Sequence, residues 1–136
     1  MTNIKRFITA FMAMGTAIAA IPAMGADGLE INHLGVNNTL VRVTGGDQYL
    51  MLPVQENIDD ARINVLVDGK IADTFYVRLA KSKTDYVVPF DLSPYKGKNV
   101  VLDIVTPQSR STVREAKEDT CWKGMTLTDT LDIQDT

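Results

Sequence analysis

From residue 29 onward, apolar and polar positions alternate in short runs, each closed by turn residues. Residues 29–34 read as a short edge strand, Leu40-Val41-Arg42-Val43 as a second, and Gly45-Gly46-Asp47 as a turn. Residues 48–54 (QYLMLPV) read as a third strand, with Pro53 near its end, where a missing backbone donor is tolerated. Residues 61–67 alternate and put Ile63, Val65 and Val67 on one face. Asp68-Gly69 follows, and a return strand runs through residues 70–80 with Ile71, Phe75, Val77 and Leu79 on its core face. Asp-Gly between two such runs is a strong hairpin signal, because both central residues of a type I′ turn need positive φ.

Residues 84–104 (TDYVVPFDLSPYKGKNVVLDI) repeat the pattern: two β-branched runs flank a centre carrying Asp91, Ser93, Pro94 and Gly97. Asp91 is placed to cap that turn through its side chain. A final strand is expected over residues 123–127, whereas residues 107–120 are polar apart from Val113 and Ala116 and read as a long exposed loop with at most one helical turn near 112–118. About seven to eight short strands without a helical stripe predict an all-β fold, an antiparallel, jelly-roll-like β-sandwich.

The N-terminus follows another grammar. Lys5 and Arg6 precede an apolar run over residues 7–21, then Pro22 and the small residues Ala23-Met24-Gly25-Ala26. These are the parts of a secretory signal peptide, with cleavage after Gly25 or Ala26. A membrane anchor is the rival reading, but the run is shorter than the roughly 20 apolar residues a spanning helix needs. The expected organisation is a leader over 1–26, one β-sandwich over 27–128 and the start of a linker over 129–136, in an exported protein of the periplasm or the extracellular space.

Beyond residue 26 lie all 17 acidic residues and 12 of the 14 basic ones, a net charge of −5. This acidic balance argues against nucleic acid and against anionic membrane surfaces as partners. No later segment is long and apolar enough to span a bilayer. The lone cysteine, Cys121, allows no internal disulfide and is expected to be a buried free thiol.

Candidate chemistry is sparse. One Cys and one His (His33) do not make a zinc site, and no third group supports a cysteine–histidine pair. A calcium ion could use Asp91 and Asp103, yet no loop has the ligand spacing of a known calcium motif, so neither metal nor cofactor is expected. Asp59-Asp60 read as solvated turn residues, and Trp122 as core. Among the aromatic residues Tyr49, Tyr76, Tyr86, Tyr95 and Trp122, Tyr76 stands opposite in phase to Phe75 and Val77. It therefore shares an outer sheet face with Thr74 and Arg78. The Thr74–Tyr76–Arg78 stripe is the carbohydrate-contact candidate, because a flat ring stacks on the apolar face of a sugar; the same stripe also suits an inter-domain docking face or a solvated one.

The blocks QYLMLPVQE, INVLVDGK, FYVRLAKSKTDYVVPFDLSPYKGKNVVLDI and CWKGMTLTDTLD, in that order, resemble the N-terminal accessory domain of exported fructan hydrolases of gut Bacteroidetes. These are glycoside hydrolase family 32 enzymes, levanases and fructan β-fructosidases. The resemblance runs from Gln48 to Asp132, departing from the family pattern in the longer polar stretch 107–120. It implies a non-catalytic domain whose intramolecular partner is a five-bladed catalytic β-propeller, with fructan as a further potential ligand. The propeller's nucleophile lies in a WMNDPNG-like motif, and its other carboxylates lie in RDP and EC segments. None of these occurs in the sequence. A retaining glycosidase needs two carboxylates across the scissile bond, so no catalytic residue carries over and the chain is not expected to be an enzyme by itself. The rival reading is a stand-alone carbohydrate-binding module for fructan or a related glycan.

Overall fold

A computed structural model describes residues 23–24, 28–107 and 110–131. The leader expected over 1–26 lies outside them apart from Ala23 and Met24, and the linker expected over 129–136 lies outside them from residue 132 on. The strands are β1 (Ala23–Met24), β2 (Leu29–His33), β3 (Asn38–Val43), β4 (Tyr49–Val54), β5 (Ala61–Val67), β6 (Lys70–Val77), β7 (Tyr86–Asp91), β8 (Val100–Val105) and β9 (Thr126–Thr128). All pairings are antiparallel. A six-stranded sheet has the order β1-β2-β3-β8-β5-β6, and a three-stranded sheet the order β7-β4-β9. The expected all-β sandwich is what forms.

Period-two alternation sets the core. Across the larger sheet the paired residues Ile31, Val41, Leu102 and Val65 form one inward row, and Thr39, Ile104, Ile63 and Phe75 another. From the smaller sheet Leu50 and Leu52 are buried, Val88 and Phe90 are half-buried against them, and the Phe75 and Phe90 rings stack with centroids 5.0 Å apart. Pro53 is tolerated in the central strand β4 for a local reason. Thr126 of β9 reaches only as far as Met51, and the Pro53 carbonyl accepts from Ala80 N. The absent N–H thus falls beyond the end of β9, where Pro53 instead packs on the chain at Gly124.

The Asp68-Gly69 turn forms as expected, with φ of 51° and 86°. The face expected for Ile71 does not. The register slips by one residue between Val65 and Leu66, leaving Ala72 without a partner. This β-bulge reverses the phase of β6 near the turn. Ile71 therefore stands across from Leu66 on the outer face, 63% exposed. β6 also ends at Val77, earlier than expected: beyond it the chain crosses to the other sheet, where Leu79 bridges to Val54.

Two further expectations are corrected near the C-terminus. The last strand is confined to Thr126–Thr128, and the residues before it form a short helix, α2 (Thr120–Gly124), which turns Cys121 and Trp122 into the core together with Met125. The stretch 107–120 is not simply an exposed loop. It contains α1 (Val113–Lys117), capped by the Thr112 hydroxyl accepting from Glu115 N, with Ala116 buried. It also carries the charges Arg110 and Asp119, whose side chains are 2% and 5% exposed and form an ion pair. The Arg110 Nη1 donates to Thr106 Oγ1 at 3.2 Å.

Candidate functional site

One end of the sandwich is built from three segments far apart in sequence. β3 ends at Val43, and the following turn is folded onto Gly28, whose carbonyl accepts from Thr44 N and Gly45 N at 2.7 and 3.1 Å. The approach is close enough that a Cβ on Gly28, where φ is +89°, would come within 2.7 Å of the Leu127 side chain. The β7–β8 connection supplies the opposite wall. Asp91 Oδ1 accepts from Ser93 N at 2.9 Å, as the sequence led us to expect, and starts a single 3₁₀ turn at Ser93–Tyr95. That bond, with the Ser93 hydroxyl adding to it, holds the Asp91 carboxyl below the ordinary carboxylate range. The two walls are tied by Leu92 N donating to Gln48 O at 2.7 Å, and Gln48 N donates to Asp129 Oδ1 at 3.1 Å.

Between the walls lies an open pocket of about 360 Å³. Its lining includes the apolar residues Val43, Leu92 and Val100, the aromatic Tyr95, and the charged residues Asp47, Asp129, Lys96 and Lys98. The volume lies within the range of small-molecule sites, at its lower end. The Tyr95 ring continues a stack from the core: it lies on Phe90 at 6.4 Å, and Phe90 stacks on Phe75.

The stripe expected from sequence lies elsewhere. Thr74 and Tyr76 are on the outer face of the edge strand β6, opposite Asn64 and Arg62, and the Thr74 hydroxyl donates to Asn64 Oδ1 at 2.7 Å. Tyr76 is 62% exposed. Arg78 lies past the end of β6; its Nη1 donates to the Glu56 carbonyl at 3.3 Å, and its Nε is 3.8 Å from Asp60. Through Arg62, Tyr76 shares a row with Val105, whereas the pocket lining includes Val100 at the other end of β8. At strand spacing, five residues separate the two places by about 17 Å.

Asp91 and Asp103 do not come together. They lie on different sheets, and Asp103 accepts from Asn38 Nδ2 at 3.3 Å on the outer face of β8. Among the described residues no group of His, Cys, Asp and Glu is arranged to hold a metal ion, and no helix is long and apolar enough to cross a membrane.

A second cluster of titratable groups lies near α2. His33 Nδ1 is 2.8 Å from Thr39 Oγ1, and its ring meets Trp122 edge-on with centroids 5.2 Å apart. Burial, then the charges of Lys117 and Arg110, hold the imidazole below its ordinary value. Burial pushes the Asp119 carboxyl up against the pull of Arg110. Burial likewise raises the Cys121 thiol well above the ordinary range, which leaves it a packing group. Trp122 Nε1 donates to the Ala116 carbonyl at 2.9 Å, so the two short helices are locked together.

The pocket was not legible in the sequence because its walls are separated by some fifty residues; the usable signal was two glycine-bearing turns, 45–47 and 93–97, each closing an alternating run. No curated protein and no solved structure matches the chain. The chain does match a protein family over residues 35–136, a stretch containing both pocket walls and every strand from β3 on, and it belongs to that family, the domain of unknown function DUF4980.

Proposed function

We propose that the chain is the non-catalytic accessory domain of a secreted, fructan-degrading glycoside hydrolase of family 32, where it packs on the catalytic β-propeller or helps present substrate. The observation that carries this reading is the coincidence of two spans. All four blocks resembling the accessory domain of those enzymes, between Gln48 and Asp132, fall inside the DUF4980 match over residues 35–136. Domains of this family are commonly accessory domains of glycoside hydrolases. The leader-like N-terminus suits a periplasmic or extracellular enzyme.

The outer face of the larger sheet supplies a surface for such packing. Ile71 and Tyr76 stand out from it, with Leu66 and Val101 half-buried in the row of Ile71. A mixed apolar and polar face of this kind suits an inter-domain contact. The experiment is sedimentation velocity of the chain mixed with a separately expressed family 32 propeller. Association that weakens on Tyr76→Ala is the expected result. Absence of association, or fructan hydrolysis by the chain alone, overturns the proposal.

The reading as a carbohydrate-binding module has its own supporting observation, the pocket beside Tyr95. The two readings are compatible, since an accessory domain that presents substrate must hold it.

A further inference from the structure

We infer that the pocket between the β3–β4 turn and the β7–β8 connection binds one or two rings of a neutral glycan. This deepens the proposed role in substrate presentation and rests on it, but it places the sugar at a site other than the Thr74–Tyr76–Arg78 stripe.

The lining selects the ligand class. A sugar ring presents hydroxyls at its edge and C–H groups on its faces. The lining holds residue types that complement both: Asp47 and Asp129, whose carboxylates accept, Lys96 and Lys98, whose ammonium groups donate, and the apolar Val43, Leu92 and Val100 with the aromatic Tyr95. The lining carries two residues of each charge sign, so it has no excess of positive charge to select an anion. The Tyr95 ring is held by its stack on Phe90, and the walls are tied by the Leu92–Gln48 and Gln48–Asp129 bonds. The site is therefore organised before a ligand arrives.

Glycine is part of the lining. Gly46 and Gly97 both line the pocket, and a Cβ built on either meets nothing within 4 Å. Gly46 does not have a positive φ, so it accepts a side chain without backbone strain. A bulky residue there adds volume at the lining of the pocket and is expected to obstruct it while leaving the core untouched.

The test is a titration of the ¹⁵N-labelled full chain, followed by amide chemical shifts, with fructose, levan- and inulin-derived oligosaccharides, glucose and glucuronate. At up to roughly 50 mM sugar, ample for a site of about 1 mM affinity, a neutral sugar should shift the Gly46, Lys96 and Gly97 amides saturably. Gly46→Trp should abolish those shifts with Tm unchanged, and Tyr95→Leu, which keeps apolar volume but removes the flat ring, should weaken binding roughly tenfold or more. Three results overturn the inference: no neutral sugar shifts these amides, only glucuronate does, or the shifts gather around Tyr76 instead. An unchanged response in Gly46→Trp overturns it as well. None of these disturbs association with the propeller, so failure of the pocket and failure of the accessory reading are told apart.

Discussion

Ile71 stands across the hairpin from Leu66 on the outer face of the larger sheet, while Phe75, four residues along the same strand, points inward beside Ile63. Strict alternation would put both on one side. The single unpaired residue Ala72 separates the two phases, and it also brings Asp73 opposite Val65 at the sheet's edge, where the side chain reaches solvent. Ile71→Lys should therefore change stability by no more than about 0.5 kcal/mol, as exposed substitutions do. Phe75→Ala, which removes the ring stacked on Phe90, should cost about 2–3 kcal/mol, less than a fully buried Phe because Phe75 is only partly covered. Urea unfolding of the two variants checks the bulge; a large loss with Ile71→Lys would place that residue in the core after all.

The Arg110–Asp119 pair gives a second prediction. Both side chains are buried, so Arg110→Met alone strands a carboxylate away from water and should destabilise by about 3–5 kcal/mol. Replacing both, as Arg110→Met with Asp119→Leu, should recover most of that loss, because a well-packed apolar pair is commonly as stable as the ion pair it replaces. The four unfolding free energies of this double-mutant cycle are the measurement.

Stability should also fall in steps as the solution is acidified. His33 is held below its ordinary value of about 6.5 in the folded chain, so below that pH the unfolded chain takes up a proton before the folded chain does. Its contribution is complete above pH 6.5 and is lost as pH falls toward the lower folded value. Asp85, whose carboxyl accepts from Glu56 N, and Asp91 are likewise held low, and their contributions disappear further into the acid range. Asp119, raised by burial, runs the other way and favours folding more at low pH. His33→Gln should flatten the first step and leave the acid step in place, read from thermal unfolding across pH.

Cys121 should resist modification. It is 1% exposed and its thiol is raised by burial, so a disulfide reagent should react with the native chain far more slowly than with the chain in urea. The native rate should follow the opening equilibrium, and variants such as Phe75→Ala should accelerate it in proportion to their loss of stability. Fast labelling of the native protein would contradict the placement of α2.

Much of this architecture could be read from the order of side chains, for reasons that differ by element. The hairpin at Asp68-Gly69 and the cap at Asp91 rest on local chemistry, which one short segment contains in full. The strand faces rest on alternation, which held wherever register was unbroken and failed at Ala72, where a bulge leaves no composition signal. The helix α2 is not legible because its five residues are too few to show a helical period, while Met125 and Leu127 alternate with polar neighbours and extend the expected strand back to Lys123. The Arg110–Asp119 pair was hidden because two charges in a polar run look solvated until tertiary structure covers them. The pocket was hidden because its walls meet only through the fold.

The pairing of early strands with late ones bears on how the chain acquires its shape. β3 finds its second neighbour only in β8, with Val41 opposite Leu102, and β4 finds its second neighbour only in β9, with Leu50 opposite Leu127. Trp122 and Met125, which help seal the core, are made later still than β8. Nascent β2 and β3 form a two-stranded ribbon, which is marginal by itself. Pairings this distant in sequence are slow to close. Until residue 127 is available, the strands from β2 to β8 have apolar faces uncovered and edges open. The segment from α2 to β9 decides when the strands before it can complete their core.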